Sequence, residues 1–439
     1  MNHKSSSTKQ NTTIVIGGGW SGLAAAVTLA QQGHHVHLIE AAKQLGGRAR
    51  NVTWKNITID NGQHLMIGAY HHMLAMMKLV GIDTETAFHR QSIDIELHDP
   101  IYPTLYLSAH HRWLPWPLSL AWNLCKSAGL SGLYHVGRIQ SSTKNILSKK
   151  DITVSEWLLS KNQPTRLIKQ LWEPLCLATL NTPIDEASAH LLAKVLQDSL
   201  GKGKSDADSL IPTRPLGDMF PNAAAMFIKA NGGSVSLKTR AKQLIIKNNT
   251  LSGLRLQDGS ELAADNIIVA TSPSQTYQLL AEQAPITKFT DYPISTVYLQ
   301  YAKHTRLNKA MIGLTGTLSQ WVFDRSEQSP GLMAVVISGP GNHESLTNAQ
   351  LVERVKQELQ SYVDNLANAE LTDSLVIREK RATFASIKNI EATRPISNSS
   401  VDGLWLTGDF IANAYPATLE GAILNGQSCA HQIIAQTSE

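Results

Sequence analysis

The sequence predicts an α/β fold built on a parallel sheet. Within the first forty residues an apolar β-branched run, a glycine-rich turn, a strong helix former and a second apolar run follow one another. Near the other end, a strand ending in Gly408-Asp409 leads into an apolar helix. Size adds a third constraint: 439 residues and 47.9 kDa exceed one hydrophobic core, so about three lobes or one large composite fold are expected.

With 42% hydrophobic and 17% charged residues, the chain can bury a core. Its net charge of +4 looks too small and too scattered for a nucleic-acid partner, though it suits an anionic membrane surface. Cys125, Cys176 and Cys429 are odd in number and far apart, which favours a reducing compartment. Residues 1–11 read as a disordered polar tail without the apolar stretch of a signal peptide. No apolar run reaches the length of a membrane span, so a cytoplasmic protein is expected, peripheral on the inner face of the membrane.

Taken in order, residues 13–17 form the first strand, and Gly17-Gly18-Gly19-Trp20-Ser21-Gly22 is the turn. The helix over 23–30 stops at Gly33, and residues 35–40 form a second strand ending in Glu40. Gly17 permits the tight turn, Gly19 lets the backbone approach a pyrophosphate, and Gly22 allows close helix–strand packing. Glu40 is spaced to accept a ribose hydroxyl. Gly17, Gly19, Trp20, Ser21, Gly22, Glu40 and Ala41 are therefore candidate dinucleotide-binding residues.

Leu45-Gly46-Gly47-Arg48 follows, where a nicotinamide-binding unit would begin another helix. An arginine beside two glycines suits a second phosphate contact. Val52/Trp54 and Ile57/Ile59 alternate around Lys55-Asn56 as a hairpin does, and Asp60-Asn61-Gly62-Gln63-His64 comes after it. At the far end, residues 403–409 are a strand, and Thr418-Leu419-Glu420-Gly421-Ala422 opens a helix running to Ile434. A helix N-terminus there would stabilise negative charge. No second dinucleotide turn is found: Gly201-Lys202-Gly203 has no strand before it, and Gly339-Pro340-Gly341 carries a proline. One dinucleotide and no nicotinamide domain are expected.

The spacing from Glu40 through Leu45-Gly46-Gly47-Arg48 resembles the second fingerprint of the FAD-dependent amine oxidase and phytoene desaturase superfamily. That resemblance implies a two-lobed, Rossmann-like FAD fold, with Arg48 near the flavin pyrophosphate and Asp409 near the ribityl–phosphate region. It extends the cofactor-binding set to Gly47, Arg48, Gly62, Gln63, His64, Ala241, Gly408, Asp409, Thr418, Leu419, Glu420 and Ala422. The FAD is expected to be non-covalent, since Cys429 lies two turns into the last helix. Strands at 233–237, around 244–246 and 254–256, and at 267–271 resemble the β-meander of this fold and the strand that returns to the FAD domain. A discontinuous FAD domain of 12–75, 215–285 and 396–439 is thereby implied, with an α+β substrate domain of 76–214 and 286–395.

Four further blocks sharpen the resemblance: Leu171-Trp172-Glu173-Pro174 with Leu180-Asn181-Thr182, Trp321 to Arg325, Asp60 to His64, and Pro416 to Ala422. Together they resemble the squalene-associated FAD-dependent desaturase-like proteins, the hydroxysqualene dehydroxylases of hopanoid pathways. The implied chemistry is reductive. Protonation lets an allylic hydroxyl leave as water, and hydride from reduced flavin quenches the cation in a pocket that excludes water. An external electron donor and a long-chain isoprenoid substrate, hydroxysqualene, are implied partners. Asp60, His64 and Tyr415 are candidate general acids, with structural hydrogen bonding the alternative for each. A carotenoid desaturase or an amine oxidase is the competing enzyme reading. The Rab escort and GDP-dissociation-inhibitor proteins resemble the fold without using flavin, but intact Glu40, Arg48 and Asp409 argue against that.

Of the remainder, 76–210 reads as largely helical and 286–395 as mixed. Leu351, Val355, Leu359 and Val363 recur every four residues behind Thr347-Asn348, as in an amphipathic helix. Strands are expected at 297–299, 321–323 and 333–337. Segment 112–126, rich in Trp and Leu and broken by two prolines, suits a membrane interface with Arg112 and Lys126 flanking it; a helix packed on its own core is the alternative. The pairs His34/His35, His71/His72 and His110/His111 lack metal-ligand spacing, so no metal is expected. Met73, Met76 and Met77 should be core.

Overall fold

The β-branched run Thr12–Ile16 is the central strand of a five-stranded parallel sheet. In spatial order the strands are Ser234–Ser236, His35–Ile39, Thr12–Ile16, Asn266–Val269 and Leu404–Leu406. Parallel neighbours need crossovers, and the first is the helix Trp20–Gln31. Every residue from Trp20 to Ala30 is buried, because Phe220–Ala230 and Leu419–Thr437 pack against the same helix. Its small residues permit close approach: a Cβ on Gly426 would lie 2.3 Å from the Ser21 carbonyl oxygen. Gly33 (φ +77°) turns the chain out of the helix.

The computed structural model describes residues 12–110, 113–201, 203–280 and 286–437, the side chain of residue 437 excepted. Expectations placed on the tail 1–11, on His111 and Arg112, on Lys202 and on residues 281–285 lie outside the described residues.

A seven-stranded sheet forms the second layer. Its order is Leu371–Phe384, Asp291–Tyr301, Leu332–Ser338, Trp321–Asp324, Met311–Leu314, Asp94–His98 and Leu105–Ser108. All neighbours are antiparallel except Met311–Leu314 with Asp94–His98. Residues 76–210 are largely helical, as expected, but carry short strands that the sequence reading did not place. Asp94–His98 and Leu105–Ser108 join this sheet, and Phe88–Gln91 and Ser209–Pro212 pair with Met66–Ile67 in a third. Asp94-Ile95-Glu96-Leu97-His98 does alternate polar and apolar, but over too few residues to stand out from its surroundings.

The hairpin Asn51–Trp54/Ile57–Asp60 turns at Lys55 (φ +52°), and Ala241–Lys247, Thr250–Leu256 and Glu261–Ala263 form an antiparallel meander. Helix Asn348–Tyr362 begins with a capping box between Thr347 and Gln350, and it buries Leu351, Val355 and Leu359. Val363 lies one residue past its end. Met73, Met76 and Met77 are core on His71–Leu79. The longest helix, Trp116–Leu147, is broken at Gly129 (φ +74°, ψ 174°). Among the described residues, no helix is long and apolar enough to cross a membrane.

Candidate functional site

The glycine turn shows which of its residues serve the fold and which serve an open space. A Cβ on Gly17 (φ +114°) would lie 2.6 Å from the Ala270 carbonyl oxygen, and one on Gly22 would lie 2.1 Å from that of Gly17. Both are fixed by packing. A Cβ on Gly19 would meet no protein atom within 4 Å. Gly19 is also the N-cap of the first helix, which has no side-chain cap and no acid in its first turn. Its leading N–H groups therefore offer an anion site beside open space.

Glu40 sits at the edge of this turn, accepting from Gly18 N–H and Ala42 N–H at 2.7 Å each. Both carboxylate oxygens keep lone pairs for a further donor. Gly46 and Gly47 (φ +106° and +61°) bring the second glycine motif against the first, with Gly46 N–H donating to Gly18 O at 2.8 Å. Arg48 then reaches across to the far end of the chain. Its guanidinium donates to Ala382 O at 2.8 Å and pairs with Asp409 at 2.7 Å. Glu40, Arg48 and Asp409 thus belong to one neighbourhood, joined by the motifs of both chain ends.

Asp409 is held from two sides. Gly408 (φ +154°) turns the chain, and Asn425 in the last helix donates to Gly408 O and Ile411 O. Arg394 does more. Its buried guanidinium donates to five backbone carbonyls, those of Asp409, Phe410, Ile411, Asn413 and Tyr415, and pairs with Glu391 at 2.7 Å. Sequence reasoning missed Arg394, since no residue pattern announces a partner made of main-chain carbonyls. Asn425, a buried amide in an apolar helix, was a visible signal left unread.

The three candidate acids have different partners. Asp60 is buried, accepts from Leu216 N–H at 2.8 Å, and is pushed up to about 6 by burial despite that bond and the Arg325 charge. Tyr298 donates its hydroxyl to the Asp60 carbonyl at 2.9 Å. His64 is pushed down to about 4 by burial and by the Arg48 charge, so its imidazole is neutral near pH 7. Its Nε2 is buried without a hydrogen-bond partner. Tyr415 donates to Asp198, which pairs with Lys194, and burial and that carboxylate push its phenol up.

Glu420 departs from expectation. Its carboxylate accepts from His72 N–H and Met73 N–H at 2.9 Å each, capping the helix His71–Leu79. That helix has neither a side-chain cap from its own N-cap nor an acid in its first turn, so its orphan N–H groups recruit Glu420. Thr418 caps the last helix by accepting from Gly421 N–H at 3.1 Å, with Leu419 and Ala422 in the first turn. The Trp20 ring packs on Phe220, and Ser21 hydrogen-bonds Thr407, so both side chains belong to the core. Ala41 is exposed beside Glu40, Ala241 starts the meander, and Gln63 donates to His64 O. Space does not require glycine at Gly62, whose Cβ would make only an ordinary contact with Thr296. The Asn181 block is a structural joint: Asn181 (φ +50°) donates to Thr383 and accepts from Gly339 N–H. Among the described residues, no group of three His, Cys, Asp or Glu is placed to hold a metal ion.

The open Gly19 cradle, the uncapped helix, the Glu40 carboxylate, the Arg48–Asp409 pair and the unpartnered His64 Nε2 fit a flavin dinucleotide. Residues 20–434 match the family model of flavin containing amine oxidoreductases. A hydroxysqualene dehydroxylase of Zymomonas mobilis is 27% identical over 432 residues, covering 96% of this chain and 98% of that protein. A 15-cis-phytoene desaturase of Solanum lycopersicum is 21% identical over 97% of this chain and 78% of its own. Among solved structures, a putrescine oxidase redesigned at its cofactor site superposes with a TM-score of 0.73 at 14% identity, over 97% of this chain and 99% of its own, and shares the fold. The chain therefore belongs to the flavin-containing amine oxidoreductases, as an FAD-dependent oxidoreductase similar to the hydroxysqualene dehydroxylases.

Proposed function

We propose that this chain reduces hydroxysqualene to squalene, releasing the hydroxyl oxygen as water. The observation that carries this is the end-to-end similarity to the Zymomonas mobilis hydroxysqualene dehydroxylase, against 78% of the length of the tomato phytoene desaturase. FAD bound there and reduced by an external donor would supply one hydride, which carries both electrons of the reduction. The C–O bond breaks as a proton completes the water, and the hydride forms the new C–H bond at the carbon that bore the hydroxyl.

In this proposal the backbone N–H groups at the start of the first helix, with Arg48, hold the pyrophosphate. Glu40 takes a ribose hydroxyl, and Asp409 orients the ribityl end. The FAD domain comprises 12–75, 215–285 and 396–439, and the substrate domain comprises 76–214 and 286–395. Asp60 is the proposed general acid. Of the three candidates it alone is a carboxyl whose pKa of about 6 lets it both hold and release a proton near neutrality. His64, already neutral, and Tyr415, bound to Asp198, are assigned positioning roles. The substrate is taken from a membrane that the protein meets peripherally.

Anaerobically reduced enzyme mixed with hydroxysqualene should release squalene and regain the absorbance of oxidised flavin. Asp60→Asn should retain FAD and slow that step by about 100-fold or more. If the flavin stays reduced with hydroxysqualene, while oxidised enzyme dehydrogenates a carotenoid precursor, the desaturase reading replaces this one.

A further inference from the structure

The positive charge of the chain is concentrated, contrary to the scattered distribution expected from its total. Between Pro100 and Lys150 stand six Lys and Arg residues and no Asp or Glu. The rest of the chain carries 33 basic residues against 35 acidic ones. The helix Trp116–Leu147 lies inside this basic stretch.

One side of that helix is core, with Leu124, Ile139 and Ile146 buried. The other presents two ladders at four-residue spacing, one on each side of the break at Gly129. Leu118 (57% exposed), Trp122 (50%) and exposed Lys126 form the first. Leu130 (77%), Tyr134 (63%) and half-buried Arg138 form the second. Residues four apart share a helix face. Both ladders end the same way, with a cation over the preceding ring: Lys126 lies 5.2 Å from the Trp122 ring centre, and Arg138 lies 5.9 Å from that of Tyr134. The neighbouring strand adds exposed Tyr106, whose N–H donates to Ser127 in the same helix. A single exposed leucine is ordinary; repeated aromatic and aliphatic exposure in a stretch without acids is not.

We propose that this face docks on an anionic lipid bilayer. Leu118, Trp122, Leu130 and Tyr134 would seat at the headgroup boundary, and Lys126 and Arg138 would pair with lipid phosphates. The proposal deepens, and rests on, the membrane part of the function proposed above. A second copy of the chain fits the face poorly. A two-fold contact would set Lys126 and Arg138 against like charges, and residues 101–150 contain no acid to neutralise them.

FAD-loaded full chain is sedimented with vesicles of phosphatidylcholine alone or containing phosphatidylglycerol. Binding should favour the anionic vesicles by about ten-fold and weaken with salt. L118S/W122S/L130S/Y134S and K126E/R138E should each lower partitioning by about ten-fold or more, with FAD content unchanged. If either variant loses FAD, K126Q/R138Q gives the same test with less disturbance. Wild-type protein that stays in solution with both vesicle types overturns the proposal. So does equal binding by wild type and variants, or a wild-type dimer that ignores vesicles and that the variants split. Turnover of detergent-dispersed hydroxysqualene is assayed separately, so failure of the catalytic reading would leave vesicle binding as its own result.

Discussion

Glu40 and Asp409 are held by the protein itself, Glu40 by two backbone N–H groups and Asp409 by Arg48, with the Asp409 main chain pinned by Arg394. Their carboxylates are thus pre-placed for a ligand. Glu40→Ala or Asp409→Ala should each weaken FAD retention by about 10- to 100-fold, the effect of losing a hydrogen bond to a charged group. Flavin content after purification measures this, and full retention in both variants contradicts the assignment. Glu40 was legible from local spacing alone. Arg394 was not, and the partners of Glu420 lie 347 and 348 residues away in sequence. Asp60 carries a pH signature. Burial raises its pKa to about 6, so the folded state favours the protonated form. Its stabilising contribution is present below the ordinary carboxylate value of 3.8 and is lost as pH rises through about 6. Asp60→Asn stays neutral throughout. The variant should gain on wild type between acid and neutral pH by about 3 kcal/mol, read from paired thermal melts of flavin-free protein. A constant difference at every pH would count against the buried-carboxyl account.

At the scale of elements, the parallel sheet was legible because four of its strands are short, largely apolar and largely buried runs beside a glycine or a helix signal, whereas Ser234–Ser236 is polar and not buried. The seven-stranded sheet was only half legible. Its long antiparallel strands have several alternating residues each, but Asp94–His98 is recruited by Met311–Leu314, a pairing no local pattern encodes. The exposed ladders proposed to meet a membrane extend beyond segment 112–126. Trp116 is half-buried at the start of its helix, while the exposed ladder continues past Gly129 to Tyr134. Close packing of the first and last helices was missed at Gly426, where a Cβ would lie 2.3 Å from Ser21 O. Gly426→Ala should force these helices apart and cost about 1–3 kcal/mol. Because Ser21 is in the cofactor turn, FAD retention should fall with the melting temperature. A variant as stable as wild type, with full flavin, would contradict that coupling.

Over the whole molecule, the chain leaves the parallel sheet and returns to it, so that motifs from its two ends share the Arg48–Asp409 contact. A cofactor held there lies between elements that local sequence could identify singly but not assemble. The central claim is that hydride passes from reduced flavin to the allylic carbon that bore the hydroxyl. Enzyme reduced anaerobically in D2O, so that the flavin carries exchangeable deuterium, is given hydroxysqualene for a single turnover, and the product is analysed by mass spectrometry and NMR. The account predicts squalene with one deuterium at the former carbinol carbon and flavin returned to its oxidised form. Unlabelled squalene, or flavin left reduced with hydroxysqualene unchanged, would contradict it.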